Sequence, residues 1–179
     1  MLLTDWSRPV GGTGRWQRGG SSCRPTTTTA EQPLVLPTIT VADVRRVGLP
    51  PSTAGLQPAG GDVVLNVPVN VYVQSAQVTR DVQVLGFPVT IRATPESFTW
   101  TFGDGGSLGP TTDPGAPYPA MSTTHTYTRP GTYPVTLTTT YSAEFSVAGL
   151  PFEPVDGTVD VASPTATLTA HAGTTVLTR

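Results

Sequence analysis

The sequence predicts an all-β fold, a two-sheet sandwich of many short strands, and three observations carry that expectation. Residues 97–102 alternate strictly, with Phe98, Trp100 and Phe102 on one face and Thr99 and Thr101 on the other, which is the period of a half-buried strand. Residues 132–141 alternate the same way. Tyr133, Val135, Leu137, Thr139 and Tyr141 face one side, and Thr132, Pro134, Thr136, Thr138 and Thr140 face the other. Turn residues are dense throughout: 19 Gly and 19 Pro in 179 residues, with Thr and Val abundant between them. That composition suits short strands, and no segment keeps a helical period over ten residues.

Charge narrows the function classes. Charged residues make up 12% of the chain, about half the usual roughly 25%, which argues against a highly charged disordered chain. Lys is absent, and the net charge is −2, so nothing in the overall balance attracts nucleic acid or an anionic membrane. Basic residues gather at the N-terminus, where Arg8, Arg15, Arg18 and Arg24 face a single Asp5. A lone cysteine, Cys23, allows no internal disulfide. No stretch approaches the roughly 18 apolar residues of a membrane helix. The Met1-Leu2-Leu3 run is also too short for the apolar core of a signal peptide.

The elements follow in order. Residues 1–33 read as a flexible Gly/Ser/Thr/Pro-rich segment, in which Trp6 and Trp16 are either exposed or a peptide that docks elsewhere. Residues 34–47 are expected to form a strand, turning at 48–51. Residues 62–75 put Val63, Leu65, Val67, Val69, Val71 and Val73 on one face, with Pro68 marking an edge or a break. A strand over 78–85 carries Val78, Val82 and Val84 on one face. Gly86 turns into a strand over 87–94, which Pro95 ends. After the strand at 97–102, residues 103–121 form a long loop, a length often tied to function. Residues 123–127 are extended, Arg129-Pro130-Gly131 turn, and short strands are expected at 145–148, 154–161 and 165–170. The expected organisation is an N-terminal β extension at 34–81, a central domain at 82–148 and a C-terminal β extension at 149–179.

The segment Gly131-Thr132-Tyr133-Pro134-Val135 has the form of a tyrosine corner. In immunoglobulin domains such a Tyr stands two residues before the second core Cys, and a core Trp packs on the disulfide. Here Val135 takes the Cys-like place and Trp100 the core place, so an immunoglobulin-like sandwich is expected without a disulfide.

The combination Trp100-Thr101-Phe102-Gly103-Asp104-Gly105, then His125-Thr126-Tyr127, then Pro130-Gly131-Thr132-Tyr133 with Val135 and Leu137, resembles the polycystic kidney disease (PKD) domain family. The match runs over about residues 82–142 and is similar to small bacterial members of that family. Thr101 stands where the family usually has Asp, which removes a carboxylate. Pro134 stands where a ladder donor is usual. The resemblance implies a PKD-type sandwich that holds or presents a partner, a protein or polysaccharide of the cell envelope, in an extracytoplasmic, secreted or surface setting. Because no signal is visible, Met1 is then a wrong or truncated start. The alternative is an accessory domain separated from an extracellular hydrolase, with residues 1–33 as the remnant of a linker.

Candidate chemistry is sparse. Asp104 between Gly103 and Gly105 reads as an Asx-type turn. A Ca²⁺ ligand is the alternative, but Ca²⁺ takes six to eight oxygens and only Asp113 is near. His125 reads as a partly buried hydrogen-bonding group beside that turn. A catalytic base would also need a nucleophile and an orienting acid, for which Ser122 and Asp104 are the candidates. His171 is isolated, and two histidines without a cysteine cluster make no zinc site. No catalytic residue, cofactor or metal is expected. The candidate contact surface is Tyr118 in the 106–121 loop, as an exposed aromatic anchor, with the Thr136, Thr138 and Thr140 face as a polar platform. That face is otherwise an ordinary solvated sheet surface.

Overall fold

The computed structural model describes residues 37–173 and the backbone of two short strands before them. Those two strands, β1 (Trp6–Ser7) and β2 (Gln17–Arg18), pair antiparallel with each other and form a unit apart from residues 36–179. The expectations for Cys23, for the side chains of Trp6 and Trp16 and for the rest of the 1–33 segment lie outside the described residues.

Two sheets face each other across an apolar core. The smaller contains β3 (Thr53–Gln57), β5 (Val69–Gln74) and β9 (Thr124–His125), with β5 central. The larger runs in the order β4 (Asp62–Val64), β13 (Ala166–His171), β10 (Gly131–Val147), β7 (Phe87–Thr101) and β6 (Val78–Val84). Three shorter strands complete it: β8 (Ser107–Thr111) on β7, and β11 (Glu153–Pro154) and β12 (Val159–Ala162) on β10. The architecture is the immunoglobulin-like β-sandwich expected from the alternation.

Its axis is the antiparallel β7–β10 pair. One edge of β10 carries β7. The other carries β13, β12 and β11 in succession, so the C-terminal segment returns along it. Trp100 is 1% exposed and lies in a cluster with Val69, Val71 and Val73 of β5, Val135 and Leu137 of β10 and Leu168 of β13. A ring of this size removes roughly 150–250 Å² from water, which makes Trp100 the largest side chain in the core. Beyond the sandwich, the β7–β10 pair continues into a second cluster of Val89, Ile91, Ala143, Phe145 and Val147. Between the two clusters, inward-facing Thr139 donates to Ser52 Oγ at 2.9 Å, and Ser52 Oγ lies 3.0 Å from Tyr141 Oη.

Four expectations are corrected. The strand expected within 34–47 is a helix, α1 (Val41–Val47), which covers the second cluster with Val44. The Asp43 carboxylate accepts from both the N–H and the hydroxyl of Thr40. This ties the helix start and holds the Asp43 carboxyl below its ordinary value. Pro95 does not end a strand: β7 runs through it. The register slips so that Thr140 faces Ser97 and Tyr141 faces Pro95, leaving Glu96 as the extra residue of a bulge. On its other edge β7 is unpaired between Ala93 and Phe98, so the missing N–H of Pro95 breaks no ladder there. The strands expected at 132–141 and 145–148 are one continuous β10. Finally, part of the expected 103–121 loop is β8, whose half-buried Leu108 packs on the main core. As the break at Pro68 suggested, 62–75 divides into β4 and β5.

Candidate functional site

The residues of the two sequence motifs meet at one end of the sandwich. Gly103 (φ +77°) and Gly105 (φ +92°) turn the chain after β7, and Gly106 N–H donates to Asp104 Oδ1 at 2.9 Å. This is an Asx turn closed by its own backbone. The other carboxylate oxygen, Oδ2, lies 2.8 Å from His125 Nε2. The imidazole stacks on Phe102 with centroids 3.9 Å apart and planes 3° from parallel. It meets Tyr127 edge-on at 4.7 Å, and Tyr127 stacks on Tyr133 at 4.5 Å. Tyr127 Oη donates to the Phe102 carbonyl at 3.0 Å, and Tyr133 Oη donates to the Arg129 carbonyl at 2.9 Å. The Tyr133 bond closes the Arg129-Pro130-Gly131 corner in the tyrosine-corner manner. Pro134 fits here because its ring nitrogen faces Gly103, beyond the last paired residue of β7. Thus no ladder bond is lost.

Electrostatics follow from this packing. Partial burial pushes the Asp104 carboxyl up, but the Gly106 N–H and His125 outweigh it and hold the group below its ordinary value. Burial, with lesser contributions from Asp104 and Tyr133, pushes the Tyr127 hydroxyl up to about 12. Asp104, Thr128, Arg129 and Tyr133 line a shallow polar depression of ≈ 390 Å³.

The chemistry of this cluster is limited. Asp104 and His125 are brought together, but Ser122 is exposed and bonds to neither among the described residues. The triad logic of a nucleophile held by a base is therefore incomplete. Asp113 does not join Asp104; its Oδ1 closes a separate Asx turn by accepting from Gly115 N–H at 2.8 Å. Among the described residues no group of three or more His, Cys, Asp or Glu converges. His171 lies at the end of β13.

The two candidate contact surfaces lie on different sheets. Residues 112–123 cross to the smaller sheet, where Val73 N–H donates to the Pro114 carbonyl and Val71 N–H to the Thr123 carbonyl. There the buried Asn70 amide donates to the Ala116 carbonyl and to Gln57 Oε1. The same Gln57 oxygen accepts from Tyr118 N–H at 2.8 Å. The backbone of Tyr118 is thus pinned, while the residue remains 74% exposed. Thr136, Thr138 and Thr140 lie on the outer face of the larger sheet and are half-buried. Thr140 donates to Asp160, and Thr136 meets the Thr165 hydroxyl.

The PKD domain family model matches residues 58–150. The chain belongs to the PKD domain family. No curated protein and no solved structure matches it. PKD domains are non-catalytic β-sandwich modules commonly involved in interaction, and they are typically extracellular. Among the described residues no helix is long and apolar enough to cross a membrane.

In this PKD domain two groups of residues escaped sequence reasoning. Asn70 and Gln57, which seat the Tyr118 loop, sit among strand residues whose alternation marks Val69, Val71 and Val73 instead. The outward pair Arg92–Glu144, at 2.8 Å with the guanidinium 3.8 Å from the Phe152 ring centroid, joins residues 52 apart in sequence. Only the register between β7 and β10 brings them together, and no local pattern announces it.

Proposed function

We propose that this PKD-family chain is a non-catalytic surface or secreted module that contacts a protein or polysaccharide of the cell envelope, with Tyr118 as its anchor. The observation that carries this reading is Tyr118 itself, a large, exposed ring on a backbone already fixed through Gln57 and Asn70. A pre-ordered aromatic loses little freedom on binding, and Tyr is enriched where interfaces concentrate their energy. The same reading places the protein outside the cytoplasm. It also treats segments 34–81 and 149–179 as integral to the module, since β5 and β13 supply Val71 and Leu168 to the cluster around Trp100.

The test is co-sedimentation with an insoluble cell-wall preparation, before and after protease digestion. Wild type is expected to pellet with it, and Tyr118→Ala to remain in the supernatant. Binding that survives digestion assigns a polysaccharide, and binding that is lost assigns a protein. A wild type that pellets with neither preparation overturns the proposal.

A further inference from the structure

The outer face of the β7–β10 pair continues past the Thr residues into a second site. Its register sets Thr101 opposite Thr136, Thr99 opposite Thr138, Ser97 opposite Thr140, Thr94 opposite Ser142 and Arg92 opposite Glu144. Residues directly opposite in a ladder share a face. The result is a hydroxyl track about 27 Å long at the usual strand rise, ending in a charge pair. At that end Arg92, Thr94, Ser142, Glu144, Pro154 and Val155 line a depression of ≈ 340 Å³, within the size range of small-ligand sites.

The chemistry of the lining selects the ligand. Arg92 donates to Glu144 Oε1 at 2.8 Å and lies against the Phe152 ring, so its guanidinium is held from two sides before anything binds. A guanidinium offers five N–H donors and no acceptor, whereas a carboxylate only accepts. The pair is neutral as a unit. An anionic ligand would compete with Glu144 for Arg92, and a cationic one with Arg92 for Glu144. The other charged groups bonded to this face are acidic: Asp81 accepts from Thr90 and Asp160 from Thr140. Both disfavour an acidic ligand. What fits is a neutral group that donates and accepts side by side, which describes the neighbouring hydroxyls of a sugar. Exposed Pro154 offers an apolar surface for the C–H face of its ring.

We propose that the Arg92–Glu144 end of the hydroxyl track binds a unit of a neutral saccharide chain, whose neighbouring hydroxyls bridge the two side chains. This site is on the larger sheet, whereas the Tyr118 loop is held against the smaller one, so either can fail without the other.

The experiment is NMR titration of the full chain, following the Arg92 side-chain N–H and the Thr94 and Ser142 amides. The probes are soluble hexasaccharides of glucose, mannose and N-acetylglucosamine, with hexagalacturonate as the acidic control. At least one neutral probe is expected to shift these signals, and hexagalacturonate to bind roughly tenfold or more weakly. Arg92→Lys, which keeps the charge but not the fork, is expected to weaken the neutral probe roughly ten- to hundredfold, the equivalent of one charged hydrogen bond. Ser142→Ala removes one hydroxyl of the wall with little risk to folding and is expected to weaken the neutral probe by roughly a few-fold, as the loss of one neutral hydrogen bond implies. The proposal is overturned if no neutral probe moves the Arg92 signals. It is equally overturned if the acidic probe binds as tightly, or if Arg92→Lys binds unchanged.

Discussion

Asp104 Oδ2 lies 2.8 Å from His125 Nε2, and this contact locks the glycine turn after β7 to β9 of the opposite sheet. Both residues belong to the sequence motif that identifies the fold. Their positions mark them as struts, because the Asp104 carboxylate also closes its own turn and the imidazole lies flat on Phe102.

The carboxyl gives a pH signature. Its folded pKa is lowered, below an unfolded value of roughly 3.9. Such a group contributes stability that is present above the unfolded value and is lost as the pH falls through the folded one. Melting temperatures taken from about pH 6 down to about pH 2 are therefore expected to fall for wild type below about pH 4. The fall is expected to be smaller for Asp104→Asn. Parallel curves for the two proteins would remove the contact from the stability of the fold.

Tyr127 gives the opposite signature. Its folded pKa, raised to about 12, exceeds the unfolded value of roughly 10. The stability it contributes is then fully present below that unfolded value and lost as the pH rises through 12. Tyr127→Phe leaves the buried Phe102 carbonyl without its donor and is expected to cost about 1–3 kcal/mol near neutral pH. It should also flatten the alkaline limb of the stability curve. Urea unfolding at neutral and alkaline pH measures both effects.

Gly103 sits at φ +77°, and a Cβ there would lie 2.6 Å from Pro134 Cδ and 2.8 Å from its carbonyl oxygen. Gly103→Ala must therefore strain the turn and push against backbone. A loss of about 1–3 kcal/mol is expected, read as a lower urea midpoint with an unchanged slope.

Ser52 joins Thr139 and Tyr141 between the two core clusters. Ser52→Ala leaves two buried hydroxyls with one partner fewer, and a cost of about 1–3 kcal/mol is expected. Replacing Thr139 with Val in the Ser52→Ala background is expected to recover part of it, since removing both partners is cheaper than orphaning one. Thermal denaturation of the single and double variants decides this.

The alternation around Trp100 and Leu137 made the sandwich legible, because a period of two over six or more residues has few other physical meanings. The turn chemistry of Asp104 and the bond closed by Tyr133 were legible for a similar reason, since each is local in sequence. Helix α1 was missed because seven residues are too few to show a period; its signal was the Thr40 and Asp43 spacing of a capping box. Pro95 misled because its tolerance depends on a bulge and an open edge supplied by other strands. Arg92 with Glu144, and Asn70 with Gln57, depend wholly on register, which sequence patterning along one strand does not contain. The Tyr118 loop and the Thr136–Thr140 face were both visible as features, but their placement on different sheets was not.

The central claim is a division of labour: the PKD motif residues hold the sandwich together, and Tyr118 is proposed to make the envelope contact. The most direct test measures melting temperature and cell-wall affinity side by side for His125→Ala and Tyr118→Ala. The account predicts that His125→Ala melts several degrees lower, as about 1 kcal/mol implies, yet binds like wild type below its transition. Tyr118→Ala should melt like wild type and lose binding roughly tenfold or more. The reverse pattern, with binding lost in a fully folded His125→Ala and kept in Tyr118→Ala, would contradict it.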